Sequence, residues 1–296
     1  MPIAILTGGT SQERDVAIRS SIIFREQLPE ADFYTFPEDR EKFLANYTKY
    51  DLAIPVFHGT YGEDGQIFAF LKTLGIRTAF SPWEVHALTI DKFITDTLIR
   101  RAHPVPNECI IKRGMPIAPP PGEYPFIVKP NRGGSTIATN LVKDAIELEW
   151  AVKEIHTNHD DDALVQTLLP GREFTVSLLG NAHPEVLGVT EICNKNIIFD
   201  FEEKYNGPSD YEVCPANIES NFEEYLRAKS QEIYMFLGCR GMARIDWRCD
   251  ASGVAHFLEV NTIPGMTKVS LLPKAAKYAG YTQKTLVEKI ITLARE

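Results

Sequence analysis

The side chains best suited to chemistry lie on a predicted β-hairpin over residues 243–261 of this chain. Strand alternation places Arg244 and Asp246 on one face of the first strand, and Glu259 and Asn261 on the same face of the second. A tight turn centred between positions 252 and 253 would set Asp246 opposite Glu259 and Arg244 opposite Asn261. The spacing therefore predicts one cationic and three oxygen-bearing side chains on a single face.

This face of the hairpin predicts a magnesium site. Two carboxylates and a carboxamide suit Mg²⁺, which usually also bridges to substrate phosphates, and a neighbouring Arg can stabilise charge developing at an acyl or phosphoryl centre. The apolar residues Ile245, Phe257, Leu258 and Val260 are expected to anchor the hairpin in a core. The alternative is a surface hairpin held by cross-strand salt bridges. The turn that follows, over 261–267, favours the site.

A second group of residues could bind phosphate. Lys129 ends a predicted strand over 126–130, and the chain then runs into Gly-Gly-Ser-Thr at 133–136. Glycine allows successive backbone N–H groups to approach phosphate oxygens, and Lys129 and Lys92 would supply point charges. The P-loop spacing GxxxxGK[ST] is absent, and the loop is also compatible with an ordinary turn.

Composition narrows the class of protein. The 296 residues are 44% hydrophobic, which is ample for two domains or a little more. A net charge of -9 and a pI near 5.4 argue against nucleic acid or an anionic membrane as the main partner. Five scattered cysteines without a CxxC pair are typical of reduced thiols in a cytoplasmic protein. The amino-terminal run favours a buried strand over a signal peptide, and no apolar run is long enough to span a bilayer.

The periodicity predicts an α/β protein that opens with a small doubly wound unit. Predicted strands lie at 2–7, 51–57, 76–80, 126–130, 163–168, 172–179 and 185–193, before the hairpin. Predicted helices lie at 13–28, 66–74, 89–101, 144–156 and 221–236, and over most of 272–296. The glycines after the first strand do not form GxGxxG, which argues against a dinucleotide site.

Taken together, these residues resemble the D-alanine–D-alanine ligases of the ATP-grasp superfamily. The matching blocks follow family order across nearly the whole chain. They are 8–16 (GGTSQERDV), 58–65 (HGTYGEDG), 91–92 (DK), 127–130 (IVKP), 171–176 (GREFTV), 203–205 (EKY), 214–216 (CPA), 238–241 (GCRG), 244–246 (RID), 259–262 (EVNT) and 264–267 (PGMT). Each block is weak alone, and the ordered set is specific.

The resemblance implies an α/β (α+β ATP-grasp) fold in three parts. We expect an N-terminal Rossmann-like domain over 1–80, a central ATP-grasp subdomain over 81–165 and a C-terminal catalytic subdomain over 166–296. It also implies a cytoplasmic homodimer, joined through the N-terminal unit, that acts in peptidoglycan precursor synthesis. ATP would phosphorylate the carboxylate of one D-alanine, and the amine of a second D-alanine would displace phosphate from the acyl phosphate.

The resemblance also implies roles for individual residues in the reaction. Glu13 would bind the first ammonium group and close the site through hydrogen bonds with Ser135 and Tyr205. Arg244 and the Gly265 backbone N–H would form the oxyanion hole. The acceptor residues would be Ser270 and Leu271, which receive the second carboxylate, and His58, which would orient or deprotonate the attacking amine.

ATP and metal binding are assigned by the same resemblance. Glu173 would bind the ribose hydroxyls, and Lys204 would contact phosphate from a closing loop. The ATP-binding set is Lys92, Lys129, Gly133, Gly134, Thr136, Gln166, Leu169, Glu173 and Lys204. Two Mg²⁺ (or Mn²⁺) ions would be held by Asp246, Glu259 and Asn261.

Two positions depart from the family pattern. Many relatives carry Glu where Gln166 stands, to accept a hydrogen bond from the adenine amino group, and Gln166 can still accept through its carbonyl oxygen. Ala138 stands where the phosphate loop often has Gly. If the backbone there has a positive φ, Ala138 carries strain.

Several alternatives stay open at this stage. The acceptor could be D-serine or D-lactate, although Tyr205 beside Lys204 favours the dipeptide-forming kind. An ATP-grasp enzyme with an unrelated acceptor is disfavoured by the Glu13 block, and a catalytically silent nucleotide-binding relative is disfavoured by the intact hairpin set. Singly, Glu13 is also compatible with a helix-dipole role, and Glu173 with a strand-surface charge.

Overall fold

The computed structural model of this protein describes residues 2–134, 137–193 and 211–296, which form three β-sheets covered by helices. The strands are β1 (Ile3–Gly8), β2 (Asp32–Phe36), β3 (Leu52–Val56), β4 (Arg77–Thr78), β5 (Glu108–Ile111), β6 (Phe126–Pro130), β7 (Asn140–Val142), β8 (Ala163–Thr167), β9 (Glu173–Gly180), β10 (Glu185–Ile192), β11 (Glu212–Val213), β12 (Gly241–Cys249) and β13 (Ala255–Asn261). The helices are α1 (Arg14–Gln27), α2 (Arg40–Leu44), α3 (Gln66–Thr73), α4 (Trp83–Thr89), α5 (Lys92–Ile99), α6 (Ala145–Glu154), α7 (Ser220–Leu237), α8 (Leu271–Tyr278) and α9 (Gln283–Arg295).

The first sheet is parallel, with strand order β2-β1-β3-β4. All residues of β1 and β3 are buried, because a parallel sheet is covered on both faces and its strands become continuous apolar runs. The predicted strands and helices of this doubly wound unit are therefore confirmed. The sequence did not predict β2, a five-residue strand that pairs with β1.

The second sheet is antiparallel, with order β5-β8-β6-β7. Its central strand β8 places Gln166 between Glu108 of β5 and Ile127 of β6. The helix predicted over 89–101 is α5, which begins only at Lys92, and the preceding helix α4 was not predicted. The two helices separate because the Asp91 carboxylate caps α5 by accepting a hydrogen bond from the Ile94 N–H at 3.1 Å.

The third sheet contains the predicted hairpin, in the order β11-β10-β9-β12-β13. The predicted register is confirmed, since Asp246 pairs with Glu259 and Arg244 with Asn261. The predicted turn centre is wrong by half a residue. Cys249 pairs with Ala255, so the turn is centred on Ser252, and a bulge at Asp246/Trp247 restores the register at the site.

The bulge also corrects the predicted anchor residues of the hairpin. Ile245, Phe257 and Val260 are buried in a core with Trp247, as expected. Leu258 is the extra residue of the bulge, because Glu259 and Phe257 pair with consecutive residues of β12. It is only half-buried and lines a cleft instead of the core.

Helices α8 and α9 return to the first sheet. Their apolar residues Leu272, Leu286, Val287 and Ile290 share one core cluster with β1 and β3. The same cluster includes Met242 of β12. The amino-terminal sheet, the last two helices and the hairpin sheet are thus joined by continuous packing. Among the helices within the described ranges, none has the length and apolar character needed to cross a bilayer.

Ala138 has the left-handed backbone that its place in the phosphate loop suggested, with φ +54°. A non-glycine residue is strained in this region because its Cβ approaches the backbone. We expect Ala138→Gly to raise the free energy of unfolding by roughly 0.5–1 kcal/mol. This is the backbone strain that glycine relieves, minus the stability lost because glycine gives the unfolded chain more conformational freedom. Urea denaturation would measure the change.

Ala182→Gly is the matched control, because Ala182 is also a loop alanine between strands but lacks a positive φ. We expect this control to be neutral or slightly destabilising, since glycine only adds freedom to the unfolded chain. A loss of stability in Ala138→Gly as large as that in the control would contradict the assignment of strain.

Candidate functional site

A single cleft lies where the three sheets meet. It has a larger and a smaller lobe, and residues of α5, the phosphate loop and the hairpin line both lobes, so the space is continuous. The residues common to both are Lys92, Gly133, Gly134, Glu212, Arg244, Glu259 and Leu271. Every predicted site residue that lies in the described parts of the chain lines this cleft.

The two lobes separate the predicted ATP-binding residues from the predicted acceptor residues. The larger lobe is lined by Lys129, Gln166, Leu169, Glu173 and Asp246. The smaller lobe is lined by Glu13, His58, Asn261, Gly265 and Ser270. Four predicted residues, Ser135, Thr136, Lys204 and Tyr205, lie outside the described residues.

A buried ion pair stands at the junction of the lobes. Arg244 binds the Asp246 carboxylate with both ends of its guanidinium, Nη2 to Oδ2 at 2.7 Å and Nε to Oδ1 at 3.2 Å. Thr175 on β9 joins this pair, because its hydroxyl accepts from Arg244 Nε at 3.0 Å and donates to Asp246 Oδ1. Such bidentate contacts fix the plane of the guanidinium. Arg244 is therefore held rigidly where it lines both lobes.

Cations from two other elements reach the same region. Lys92 Nζ donates to the Gly133 carbonyl and lies 3.5 Å from Glu259 Oε2, so it ties α5 to the phosphate loop and the hairpin. Lys129 lines the larger lobe, and burial, together with Lys92, lowers the pKa of its ammonium, while Glu259 opposes that shift. This concentration of positive charge in an acidic protein suits a polyphosphate ligand.

The carboxylate of Glu13 is enclosed by glycines. A Cβ added at Gly134 would lie 3.0 Å from Glu13 Oε2, and one added at Gly59 would lie 2.9 Å from the same oxygen. Only residues without side chains allow this approach between α1 and the phosphate loop. Gly265 similarly leaves space beside Ser270, whose Oγ would lie 2.9 Å from a Cβ at position 265.

His58 is held by a hydrogen bond at one ring nitrogen and has a carboxylate near the other. Nε2 lies 3.0 Å from Ser20 Oγ, and Nδ1 lies 3.6 Å from Glu63 Oε1. Ser20 Oγ also accepts a hydrogen bond from the Met266 N–H at 3.2 Å. Ser20 thus connects α1 both to His58 and to the turn that carries Gly265. These contacts favour an orienting role over direct proton transfer for this histidine.

Comparisons with known proteins agree with this geometry. A family model described as "D-ala D-ala ligase C-terminus" matches residues 121–292. D-alanine–D-alanine ligases from Carboxydothermus hydrogenoformans and Thermotoga maritima are 34% and 33% identical, over 100% and 99% of this chain and 99% and 97% of their own lengths. The chain belongs to the D-alanine–D-alanine ligase family.

Solved structures show the same ATP-grasp fold as the family. The D-alanine–D-alanine ligase from Bacillus anthracis, crystallised with ATP, superposes with a TM-score of 0.84 at 25% identity, over 100% of this chain and 97% of its own. The D-Ala:D-Ser ligase VanG from Enterococcus faecalis superposes with a TM-score of 0.81 at 27% identity, over 99% of both chains. The predicted fold class is confirmed.

The hairpin residues fit a magnesium site that is completed by phosphate. Asp246, Glu259 and Asn261 present two carboxylates and one carboxamide on adjacent strands. Within the described ranges, no group of three or more His, Cys, Asp or Glu side chains could hold a metal ion. A set with only two carboxylates suits Mg²⁺, which takes few protein ligands and completes its shell with substrate phosphates and water.

Sequence reasoning missed several residues that support the site. Thr175 follows the predicted ribose residue Glu173 by two positions, and strand alternation could have placed it on the same face. Arg248 binds Glu173 at 3.1 Å. Asp96 and Glu108 both accept hydrogen bonds from Gln166. No sequence pattern pointed to that carboxylate pair, because its members lie on a helix and a strand.

Lys129 offers a test of the charge in the cleft. The pKa of Lys129 is lowered in the folded protein from the usual 10.5. At a pH below this folded-state pKa, the charged ammonium therefore lowers the stability of the fold. That cost disappears as pH rises through 10.5. We expect Lys129→Met to raise the free energy of unfolding at pH 7 by about 1 kcal/mol and to weaken ATP binding strongly. Urea denaturation at pH 7 and pH 10, with calorimetric ATP titration, would measure both effects.

Lys143→Met is the matched control, because Lys143 is exposed in the same subdomain. It should change neither stability nor ATP affinity by a measurable amount. If Lys129→Met were less stable than the wild type at pH 7, the lowered pKa would be contradicted.

Proposed function

We propose that this protein joins two D-alanine molecules into D-alanyl-D-alanine, with hydrolysis of ATP to ADP and phosphate. The observation that carries the proposal is the single cleft in which a lobe lined by Lys129 and Glu173 opens into a lobe lined by Glu13 and Ser270. Family membership over the full chain, and the ATP complex of a relative with the same fold, support it.

We propose that the larger lobe binds ATP. Lys92 and Lys129, with the glycine loop, would bind the phosphates, and Glu173 would bind the ribose hydroxyls. Gln166 and Leu169 would contact the base. Mg²⁺ held by Asp246, Glu259 and Asn261 would neutralise phosphate charge. Lys92 and Lys129 support this assignment, because two cations from different elements line the same lobe beside the glycine loop.

The smaller lobe would hold the two amino acids. Glu13 would bind the ammonium of the first D-alanine, whose carboxylate oxygen attacks the γ-phosphorus of ATP and releases ADP. The amine of the second D-alanine, after losing a proton, would attack the acyl carbon of the D-alanyl phosphate. The C–N bond forms, the C–O bond breaks, and phosphate leaves with the electron pair.

Fixed donors would stabilise that second step. Arg244 and the Gly265 N–H would face the oxygen that gains charge in the tetrahedral intermediate, where rigid donors act most strongly. Ser270 would donate to the carboxylate of the second D-alanine, and Leu271 would pack beside it. His58 would orient the amine, and Ser135, Tyr205, Thr136 and Lys204 keep the roles that the family resemblance implies.

We further propose a cytoplasmic homodimer with domains over 1–80, 81–165 and 166–296, acting in peptidoglycan precursor synthesis. The five cysteines are free thiols, which supports a reducing compartment. The first sheet falls within 1–80 and the third within 166–296, which supports the division, and the second sheet extends two residues past the proposed boundary at 165, because β8 ends at Thr167. Helices α8 and α9 belong to the third range in sequence and pack on the sheet of the first. Dimerisation through the N-terminal unit rests on the resemblance.

The acceptor is tested by phosphate release from ATP and Mg²⁺ with D-alanine, L-alanine, D-serine or D-lactate, with the product mass recorded. We expect D-alanine alone to support release, with D-alanyl-D-alanine as product. The D-Ala:D-Ser ligase shares this fold, so D-serine added together with D-alanine is the informative competitor. If a mixed dipeptide of D-alanine and D-serine were the main product, D-serine would replace D-alanine as the proposed acceptor. An absence of D-alanine-dependent phosphate release would overturn the proposed reaction.

Arg244 is tested by separating turnover from ATP binding. We expect Arg244→Ala to abolish turnover, because a missing oxyanion donor typically costs a factor of about 10²–10³ in kcat, and to leave ATP affinity mostly intact. Phosphate release and calorimetric ATP titration would measure the two quantities.

Arg244→Gln is the control for this test. It is needed because truncation to Ala removes the cation that pairs with Asp246 and leaves a buried carboxylate unpaired. The Gln amide can still donate to Asp246 and Thr175 but carries no charge. Equal losses of turnover and ATP affinity in both variants would exclude a role confined to the transition state.

A further inference from the structure

The carboxamide of Gln166 is bound on one side by two carboxylates. Its Nε2 donates to Asp96 Oδ2 at 3.0 Å and to Glu108 Oε2 at 2.8 Å. Gln166 is 3% exposed and lines the larger lobe. An amide nitrogen carries two hydrogens, so both are used in these contacts. The remaining polar atom is the carbonyl oxygen, which can only accept.

The two carboxylates are themselves fixed and buried. Asp96 on α5 has no exposed surface, and the Glu108 side chain on β5 is 1% exposed, directly opposite Gln166 in the register. The second Glu108 oxygen accepts from Arg100 at 2.8 Å. The second Asp96 oxygen, Oδ1, is buried without a hydrogen-bond partner among the described residues. Rotating the Gln166 amide by half a turn would bring its oxygen against this pair of acceptors.

Burial disfavours a negative charge on both members of the pair. Burial, and then the charge of Glu108 and a hydrogen bond to it, raise the pKa of Asp96 well above its usual value. When Asp96 is protonated, it can donate its proton to Glu108 and accept from Gln166 through its carbonyl oxygen. The resulting unit of Asp96, Glu108 and Gln166 satisfies both amide hydrogens without requiring two adjacent buried charges.

We propose that Asp96 and Glu108 are positioning residues that hold the Gln166 carbonyl oxygen toward the nucleotide base, so that the site selects a 6-aminopurine over a 6-oxopurine. An exocyclic amino group donates a hydrogen bond to that oxygen, whereas a 6-oxo group would repel it. The inference rests on the proposed function in one respect, that the larger lobe binds ATP.

A second consequence concerns residue 166. Glu, the residue of many relatives, would add a third carboxylate to this buried pair. A carboxamide accepts from the base as Glu would, and it also donates to Asp96 and Glu108. In this chain Gln166 and the carboxylate pair therefore form one unit, and exchanging Gln166 alone is not conservative.

The test is calorimetric titration of the full chain with ATP and with ITP, each with Mg²⁺ and without D-alanine. ITP carries the 6-oxo group in place of the amino group. We expect the wild type to prefer ATP. In Glu108→Gln the new amide can donate to the Gln166 oxygen and allow the carboxamide to turn. The ratio of ATP to ITP affinity should then fall about tenfold, the weight of one exchanged hydrogen bond.

Two further variants separate positioning from general structural damage. Asp96→Asn keeps a donor toward Glu108 and an acceptor toward Gln166, so the affinity ratio should be retained. Arg100→Gln removes the ion pair on the other Glu108 oxygen and should also retain it. An unchanged ratio in Glu108→Gln, or equal weakening of both nucleotides, would overturn the proposal.

Gln166→Glu keeps the proposal testable if Glu108→Gln does not fold. We expect at least a tenfold loss of ATP affinity, and an affinity equal to or better than that of the wild type would overturn the proposal. Phosphate release with D-alanine, measured on the wild type in parallel, reports the proposed function separately. A protein that binds ATP selectively but does not use D-alanine would refute only the reaction. A protein that ligates D-alanine but binds ITP as well as ATP would refute only the positioning role.

Discussion

The ion pair between Arg244 and Asp246 is the interaction on which the rest of the cleft depends. It lies on β12, which hydrogen-bonds to β9 and β13, so both neighbouring strands contribute to its surroundings. Thr175 of β9 binds both members of the pair, and Glu259 of β13 faces Asp246. A buried cation is tolerated because it is paired with a carboxylate and hydrogen-bonded to Thr175. The cleft can therefore contain a buried pair of charged side chains.

The bulge in the hairpin reconciles two requirements that one regular strand pair could not satisfy. At the turn, the register buries Trp247 and Phe257 in the core. At the site, the register must place Asp246 beside Glu259. One extra residue, Leu258, changes the register between these ends. Leu258 thereby becomes an apolar wall of the cleft, whereas its neighbour Phe257 remains a core residue.

Local patterns in the sequence predicted the parts of the site that depend on neighbours in the chain. Alternation and one turn signal predicted the pairing of Arg244 with Asn261, whereas the strain at Ala138 was indicated by the family resemblance. The bulge could not be predicted. Residues alternate regularly on each side of it, so the alternation gives no sign that the register changes between the site and the turn. The unit around Gln166 was also hidden, since buried carboxylates at Asp96 and Glu108 read as surface residues until the sheet brings them together.

The last two helices have a consequence for how the chain is made. Residues of α8 and α9 complete the core that covers β1 and β3, although the ribosome synthesises that sheet first. During translation the apolar surface of the first sheet awaits partners that are added only after the two other sheets have emerged, a period in which such surface invites misassembly. The amino-acid lobe, with Glu13 on one side and Ser270 on the other, is therefore a late product of folding. The two ends of the chain share one hydrophobic core.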